Sequence, residues 1–457
     1  MVAQTLLTMS YITNEALVVL ENELIIANRV ERRYSDEFAQ TGAKVGNTVN
    51  IRRPPRYKGT YGPPLNVENT FESSVTVSLN YQFHVDVQFT TQDLALSMDM
   101  FKQRILKPQV AAMANRIDSD SAQYFYLNTA AVLGTFGTSP NSLKLFTDAR
   151  AYLANEACPK EGEKNAVLDP TSMSSMVATV QGLFNPQAQI SEYLNSGMIA
   201  KNFAGLDWWE DQNIPVFATG AQGGTPVLTT PIAGTAFLTD GWSQSGTVST
   251  QGWTASTAVV NVGDIVQFGT VGGAGAYPVN PQNRLQYGKT LRQFVVLPPG
   301  GFAVPTPGPA APTLTYAAAT LAAGTFNAAT GQYTSSNTGT LTLTIGDCCI
   351  SGGQFQNVTV APVSGATITV NGGTGSASQV SPQSLVFHKY AFALAFADLP
   401  LPRGVEFAAR AYDDEDVGMS IRCVTQYTIN NDSEPTRCDA LYGPASLYRT
   451  LGLRVAG

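Results

Sequence analysis

His84 and His388 are the only histidines in the chain, so any Ser/His/Asp or Cys/His nucleophilic site must use one of them as its base. Neither is well placed for that work. His84 falls on the polar side of a strictly alternating stretch, and His388 lies in the apolar run LVFHKYAF, where a packed ring is the simpler reading. Two histidines do not make a His-rich metal site, and no carboxylate series has calcium-loop spacing. The run Asp413, Asp414, Glu415, Asp416 could hold a cation, but such runs are usually solvated faces or salt-bridge partners. Cys158, Cys348, Cys349, Cys423 and Cys438 show no Cys-x-x-Cys spacing, and an odd number in a long chain is unlike a secreted disulfide framework. They read as reduced thiols. The Gly-rich piece GTVGGAGAYP (269–278) lacks the Gly-Lys-Ser/Thr of a phosphate loop and reads as a turn. No catalytic set, metal or cofactor follows, and the chain reads as non-enzymatic.

The cations are more informative. Arg52, Arg53, Arg56 and Lys58 crowd the segment RRPPRYKGTYGPPLN (52–66), which is otherwise rich in Pro and Gly. One reading of them is contact with nucleic acid. A second group, Arg29, Arg32 and Arg33 with Arg104, Lys107 and Arg116, falls on two helical stretches. The net charge of −7 argues against a sequence-specific nucleic-acid binder, which needs a basic face, but not against a protein that merely surrounds DNA.

The elements that must carry these residues follow from periodicity. Leu17, Leu20, Leu24 and Ala27 predict a helix over 12–33. The prolines of 52–66 predict an extended loop. From Phe71 to Phe89 apolar and polar residues alternate without a break, predicting one long, projecting, half-exposed β-arm. Leu94, Met98, Phe101 and Ile105, then Val110, Met113 and Ile117, predict a long helix from Thr91 to about Leu127, kinked at Pro108. Shorter helices are expected over 148–157 and 172–182. Helical and mixed sequence is expected to return at Ser384. The end alternates again, from Ile421 to Ile429 and from Leu451 to Val455, as strands that pair with each other or with the base of the arm.

The chain has 457 residues, 44% of them hydrophobic and only 13% charged, with 41 Gly and 26 Pro. That is enough for about three domains and a sizeable core. The low charge suits a surface packed among neighbours. Residues 221–384 hold six charged residues: Asp240, Asp264, Arg284, Lys289, Arg292 and Asp347. Strand-like runs DIVQF (264–268), QFVVL (293–297), TLTLTI (340–345), NVTVAPV (357–363) and ATITV (366–370) recur there between Gly-rich turns. Together they predict an inserted all-β domain, with GGFAVPTPGPAAP (300–312) as a linker or exposed loop. No secretory signal or membrane span is legible, so the product is expected to be made and kept in the cytoplasm.

This order of elements resembles that of the major capsid proteins of tailed double-stranded DNA bacteriophages. Three local motifs agree with the coat proteins of short-tailed phages: LVFHKYAFALAFADLPLP (385–402), NDSEPTRCDALYGPASLYRTLGLRV (431–455) and AGLDWWEDQNIPVFATG (204–220). The resemblance covers nearly the whole chain. It implies an α+β capsid fold with an N-terminal arm (1–45), an E-loop (46–90) and a peripheral domain with its spine helix (91–146). An axial domain (147–220, returning at 385–418), the inserted β-domain (221–384) and closing peripheral strands (419–457) complete it.

By the same resemblance the chain is a structural subunit that assembles with itself as hexamers and pentamers into an icosahedral head. Scaffolding and portal proteins are the implied partners. Double-stranded DNA is enclosed without specific binding, and no membrane is involved. Assembly is expected in the host bacterial cytoplasm, and the product in the virion. Arg52, Arg53, Arg56 and Lys58 then become inter-subunit contacts, and Arg29, Arg32, Arg33, Arg104, Lys107 and Arg116 face the lumen. Some family members carry a Lys–Asn cross-link, but no partner set for Lys58 is recognisable here. The rival reading is a β-rich phage tail or surface-adhesion protein, suggested by the Gly/Thr/Ser-rich insertion.

Overall fold

A computed structural model describes residues 20, 24–32, 48–90, 107–161, 163–180, 203–232, 245–302, 314, 316–347, 349–372, 378–405, 407–412, 419–431 and 433–457. Strands β1 (Thr48–Arg52) and β2 (Ser74–Ser78) form an antiparallel hairpin with Val49 opposite Val77 and Ile51 opposite Val75. The alternation expected over 71–89 holds from Val75 to Gln88, but not at Phe71, which is exposed: Val75, Val77, Leu79 and Tyr81 are buried, and His84, Asp86 and Gln88 are exposed. The single long arm does not. The run breaks at Leu79–Asn80, and β3 (Tyr81–Thr90) turns into the body instead of continuing the projection.

Helix α1 (Lys107–Leu127) carries the spine. Val110, Met113, Ala114, Ile117 and Phe125 bury one stripe. The expected start at Thr91 and the run into Pro108 lie outside the described residues. Strand β4 (Ala131–Leu133) follows, then α2 (Leu143–Asn155), which begins five residues before the expected Asp148. Ser142 caps it by accepting the Lys144 N–H at 3.3 Å, and the i,i+4 pair Lys144–Asp148 extends the first turns. After β5 (Lys164–Leu168), α3 (Pro170–Val180) opens with Asp169 accepting the Ser172 N–H; its expected last residues, 181–182, are outside the described set. Strands β6 (Asp207–Glu210) and β7 (Val216–Ala218) lead into the insertion.

The insertion contains β8 (Gly224–Leu228), β9 (Ser245–Trp253), β10 (Ala258–Asn261), β11 (Ile265–Phe268), β12 (Gln293–Val295), β13 (Thr325–Asn327), β14 (Gln332–Thr334), β15 (Leu341–Gly346) and β16 (Ile368–Val370). They make three small sheets, β15-β9-β8, β12-β11-β16 and β10-β14-β13. The expected strand at 357–363 is only a bridge, Val358 to Pro278. Pro362 supplies no donor there, and the Asn357 side chain is spent on the Ile350 N–H. The 269–278 piece is a turn closed by mutual Val271–Ala274 hydrogen bonds. β17 (Val380–Pro382) pairs back on β7 at the exit.

Residue 384 onward is extended, not helical. β18 (Ser384–His388) and β19 (Phe392–Ala397) flank a single turn of 3-10 helix. The apolar run LVF is the centre of a five-stranded sheet, β4-β23-β18-β5-β6, where β23 is Gly452–Val455. A strand covered on both faces reads as a continuous apolar run, which is why its period is ambiguous. The second sheet is built on β22 (Ser433–Ser446), a 14-residue strand. Along one side β22 pairs with β3; along the other it pairs first with β21 (Ser420–Thr425), which carries β20 (Phe407–Tyr412), and then with β19. β21 and β22 thus pair with each other, and β22 with the base of the arm, whereas the expected partner for the end of the chain is wrong: β23 pairs with β18 and β4 in the first sheet.

Two further expectations are corrected. Of the helix expected over 12–33, residues 12–19, 21–23 and 33 lie outside the described residues; Leu20 is helical and its carbonyl accepts the Leu24 N–H at 3.2 Å, but the end of the stretch is a 3-10 turn at Ala27–Arg29, and Glu31 bridges in parallel to Ala393 at the edge of β19. Sheet pairing competes with helix there: the Glu31 N–H donates to the Phe392 carbonyl, and the Leu394 N–H to that of Glu31. Nor are all the cysteines thiols. Cys423 and Cys438 face each other across β21 and β22 and are joined.

Candidate functional site: a projecting arm and its anchors

The hairpin β1–β2 is amphipathic, and its inner face needs a floor. β19, FALAFA, supplies it by alternation. Phe392, Leu394 and Phe396 point to the core, where Phe392 stacks on Phe125 at 4.4 Å. Ala393 and Ala395 point the other way and, with Ala445 and Leu447, receive Val49, Ile51, Val75, Val77 and Leu79. Small residues let the hairpin approach closely. At Gly443 a Cβ would come within 2.1 Å of the Ser78 carbonyl oxygen, so only glycine allows the arm to cross β22 there.

Beyond this floor the loop 53–73 projects. Its tip exposes apolar residues that none of the described residues covers: Tyr61 at 104%, Leu65 at 91% and Val67 at 75% relative exposure. Two loops of the insertion clasp its root. The Arg284 guanidinium donates to the Tyr57 carbonyl at 2.9 Å and to those of Gly353 (3.1 Å) and Gln354 (3.3 Å). The end of the Gln354 side chain lies 3.2 Å from the carbonyls of Arg56 and Asn69, and its amide satisfies both when the nitrogen is turned toward them. Between arm and insertion lies an open groove of about 970 Å³, lined among others by Lys58, Tyr61, Phe71 and Arg284.

The basic cluster at the root separates into different settings. Arg53 is buried: it donates to the Leu447 carbonyl, and its guanidinium lies 4.9 Å from the Tyr448 ring centre. Burial lowers its pKa from the ordinary arginine value. Arg56 is half-buried, and burial lowers its pKa as well. Arg52 is exposed but pairs across the hairpin with Glu72 at 3.3 Å. Lys58 is exposed near the tip, and its backbone N–H donates to Glu68 at 2.6 Å. Arg53 is thus committed to its own subunit, and Arg52 and Lys58 present the outward charge.

The second cation group is dispersed. Arg29 lies over the Trp209 ring at 3.6 Å with Glu163 3.9 Å away. Arg32 donates to Asn28 at 2.8 Å, and Arg116 to Asp120 at 3.0 Å. Lys107 opens α1. Arg33, Arg104 and the acidic run 413–416 lie outside the described residues. The described N-terminal segment is held by Asp118 of α1, a buried carboxylate accepting the Ile25 (2.6 Å) and Ala27 (2.9 Å) N–H groups. Desolvation pushes Asp118 up to about 7, with the charge of Asp211 adding to it.

His388 is buried. One ring nitrogen reaches the Glu161 carbonyl at 3.0 Å and the other accepts the Tyr390 N–H at 3.2 Å. Burial lowers its pKa, so it serves as a neutral structural ring. His84 is exposed, with Asp86 at 3.5 Å.

The insertion meets the body through buried charge. Arg292 donates to Glu156, at the end of α2, at 2.9 Å, and Tyr287 donates to the same carboxylate. Arg454 of β23 is fully buried over Tyr126 and Phe217 and donates to the Gly263 carbonyl at 2.5 Å. Asp264 accepts the Asn261 (2.7 Å) and Gly220 (2.9 Å) N–H groups. Sequence reasoning missed these anchors and Arg284. The legible signal was scarcity: among six charges in the insertion, Asp264, Arg284 and Arg292 all stand where it meets the rest.

A family model described as "P22 coat protein – gene protein 5" matches residues 1–272. The major capsid protein of Acyrthosiphon pisum secondary endosymbiont phage 1 is similar at 22% identity over 193 residues, 40% of this chain and 44% of that protein. The match thus spans less than half the length of that curated relative. Among solved structures, the capsid of cyanophage P-SCSP1u is similar over 95% of this chain and 88% of its own, at 9% identity and a TM-score of 0.43. A structure from Mycobacterium phage Che8 is similar over 94% and 90%, at 10% identity and a TM-score of 0.40.

Proposed function

We propose that this chain, which belongs to the P22 coat protein family, is the repeating subunit of a phage head. The observation that carries the reading is the arm. Its root is built into the body, while its tip presents Tyr61, Leu65 and Val67 to solvent. An exposed apolar group of this kind marks a contact with another molecule, and in a coat protein that molecule is a neighbouring copy. Arg52 and Lys58 sit on the outward side of the arm, where opposite charge on the neighbour would favour register and partner choice more than raw affinity.

Hexamers and pentamers of this chain, scaffolding and portal proteins, and assembly in the bacterial cytoplasm belong to the same proposal, as does the absence of catalysis. So does the reading of 221–384 as a unit that stabilises the subunit and guides assembly. The duplex DNA inside would meet a weakly attractive wall. Arg29 and Arg116 already face carboxylates, so few cations remain for phosphate contact, and free subunits should bind DNA weakly and with strong salt dependence.

Negative-stain microscopy of the expressed protein tests the reading. Closed shells of uniform diameter are expected. Fibres or discrete particles without shells would refute it and favour a tail or adhesion protein. Removing Arg52 to Asn66 should leave a soluble, folded chain that assembles poorly; normal shells from that deletion would remove the arm from the account.

A further inference from the structure

We propose that Cys423 and Cys438 form a conditional staple, two thiols while the chain folds in a reducing compartment and one disulfide once it meets an oxidising one. The inference rests on the head-subunit reading only for the change of compartment; the geometry stands without it. β21 and β22 are antiparallel, and the two cysteines occupy the same rung, with Cα atoms 4.2 Å apart. That separation belongs to a non-hydrogen-bonded pair, the rung at which facing side chains come closest. The neighbouring rungs, Arg422–Asp439 and Val424–Arg437, hold the register, so the thiols are presented to each other whether or not a bond joins them.

The other described cysteines are not arranged to compete. Cys158 is half-buried and its thiol is pushed up to about 11 by desolvation, which suppresses the reactive thiolate. Cys349 is buried, just after β15 of the insertion.

The position gives the bond something to hold. It closes a loop of sequence separation 15 around the β21–β22 turn, which exposes Tyr427 and Ile429. Cys438 also stands opposite Val85 of β3, so the bonded rung lies in the strand that roots the arm. A cross-link of this length stabilises mainly by restricting the unfolded chain. A reducing cytoplasm keeps such pairs open, and an extracellular medium lets them close. In closure two thiols lose two protons and two electrons to a small-molecule disulfide such as oxidised glutathione, which leaves as two thiols. One S–S bond forms in the protein and one breaks in the oxidant.

The test uses the full chain. Protein from a reducing bacterial cytoplasm is trapped with N-ethylmaleimide in denaturant and mapped by mass spectrometry, before and after incubation with oxidised glutathione. Before oxidation both residues should carry the alkyl group. Afterwards a peptide pair linking Cys423 to Cys438 should accumulate, the thermal midpoint should rise by several degrees, and dithiothreitol should reverse both. A C423S/C438S variant should show no rise; if it does not fold, the parent with and without dithiothreitol still decides the matter. Absence of the linked pair after oxidation overturns the staple, as does an unmoved midpoint. Full linkage in the cytoplasmic sample overturns its conditional character. Microscopy of the reduced sample reports on the shell reading separately: missing shells with an intact redox cycle would sink that reading and leave the staple standing.

Discussion

Replacing Gly443 by Ala should lift the arm from its floor. The new Cβ would lie 2.1 Å from the Ser78 oxygen, 2.8 Å from its carbonyl carbon and 3.1 Å from the Leu79 Cα. All three are backbone atoms, so no rotamer change relieves the clash, and β2 must retreat by about 1 Å. A gap of that size forfeits roughly a quarter to a half of the contact energy of the side chains facing it. Val49, Ile51, Val75, Val77 and Leu79 are all buried there. At roughly 2 kcal/mol for each fully buried side chain, losing a quarter of the total costs about 2–3 kcal/mol. The loss is local, so hydrogen exchange is the right assay. Amides of the β1–β2 hairpin should exchange about thirty- to a hundredfold faster, with the mixed sheet around β18 unchanged. Gly352→Ala, where nothing lies within 4 Å of the added carbon, is the control. Hairpin exchange within about threefold of the parent would refute the reasoning, because the clash would then have been absorbed without moving the arm.

Arg292→Met should destabilise the chain by about 3–5 kcal/mol in urea unfolding, since it strands the Glu156 carboxylate without its cation; a Glu156→Leu/Arg292→Met pair should recover most of that, and a pair as unstable as the single variant would contradict it. Asp264 is pushed up to about 7 from its ordinary 3.8, chiefly by burial. The folded chain therefore holds a proton that the unfolded chain has lost, and stability should fall as pH rises from about 4 to about 7 and then level off. Asp264→Asn should remove about one proton from that slope, and an unaltered slope would rule Asp264 out as its source. Arg284→Ala removes the bonds to Tyr57, Gly353 and Gln354, so limited proteolysis between Tyr57 and Leu65 should quicken by about tenfold while the body resists as before. Equal cleavage rates would show that the clasp does not hold the arm.

What was legible in the sequence was periodicity, and what was hidden was the partner of each face. From Val75 to Gln88 the alternation gave the inner and outer sides correctly, yet not the exposure of Phe71 or the break at Leu79–Asn80. Both halves alternate alike, and only the separate partners, β1 for the first half and β22 for the second, divide them. The run at 384–397 misled in the opposite way. Covered on both faces, β18 and β19 have no polar side to reveal period two, and they read as mixed or helical sequence. The helical spacing of the N-terminal segment did not reveal that its described residues from Ile25 to Glu31 are drawn to the edge of β19 and to Asp118, more than ninety residues away. Of the two cation groups, exposure could be read at Lys58 but not at Arg53, whose acceptor is the Leu447 carbonyl at the other end of the chain.

A chain with so few charges does not spread them evenly over its surface. Arg292 joins the insertion to α2, Arg454 joins β23 to the Gly263 turn, and Asp118 joins α1 to the N-terminal segment. Arg422 and Asp439 lock β21 to β22, and the Tyr442 hydroxyl donates to Asp120 across to the spine. Each contact ties together segments that alternation alone would let slide. In a strand, a slip of one residue turns every side chain to the wrong face. A buried charge pair contributes little net stability over an apolar isostere, but it penalises heavily any register that separates the pair. For a subunit that must present one arm geometry to every neighbour, that penalty is more useful than additional core. The buried charges are therefore best understood as devices that fix the angle of the arm and the seat of the insertion, and the uncharged surface follows from spending them there.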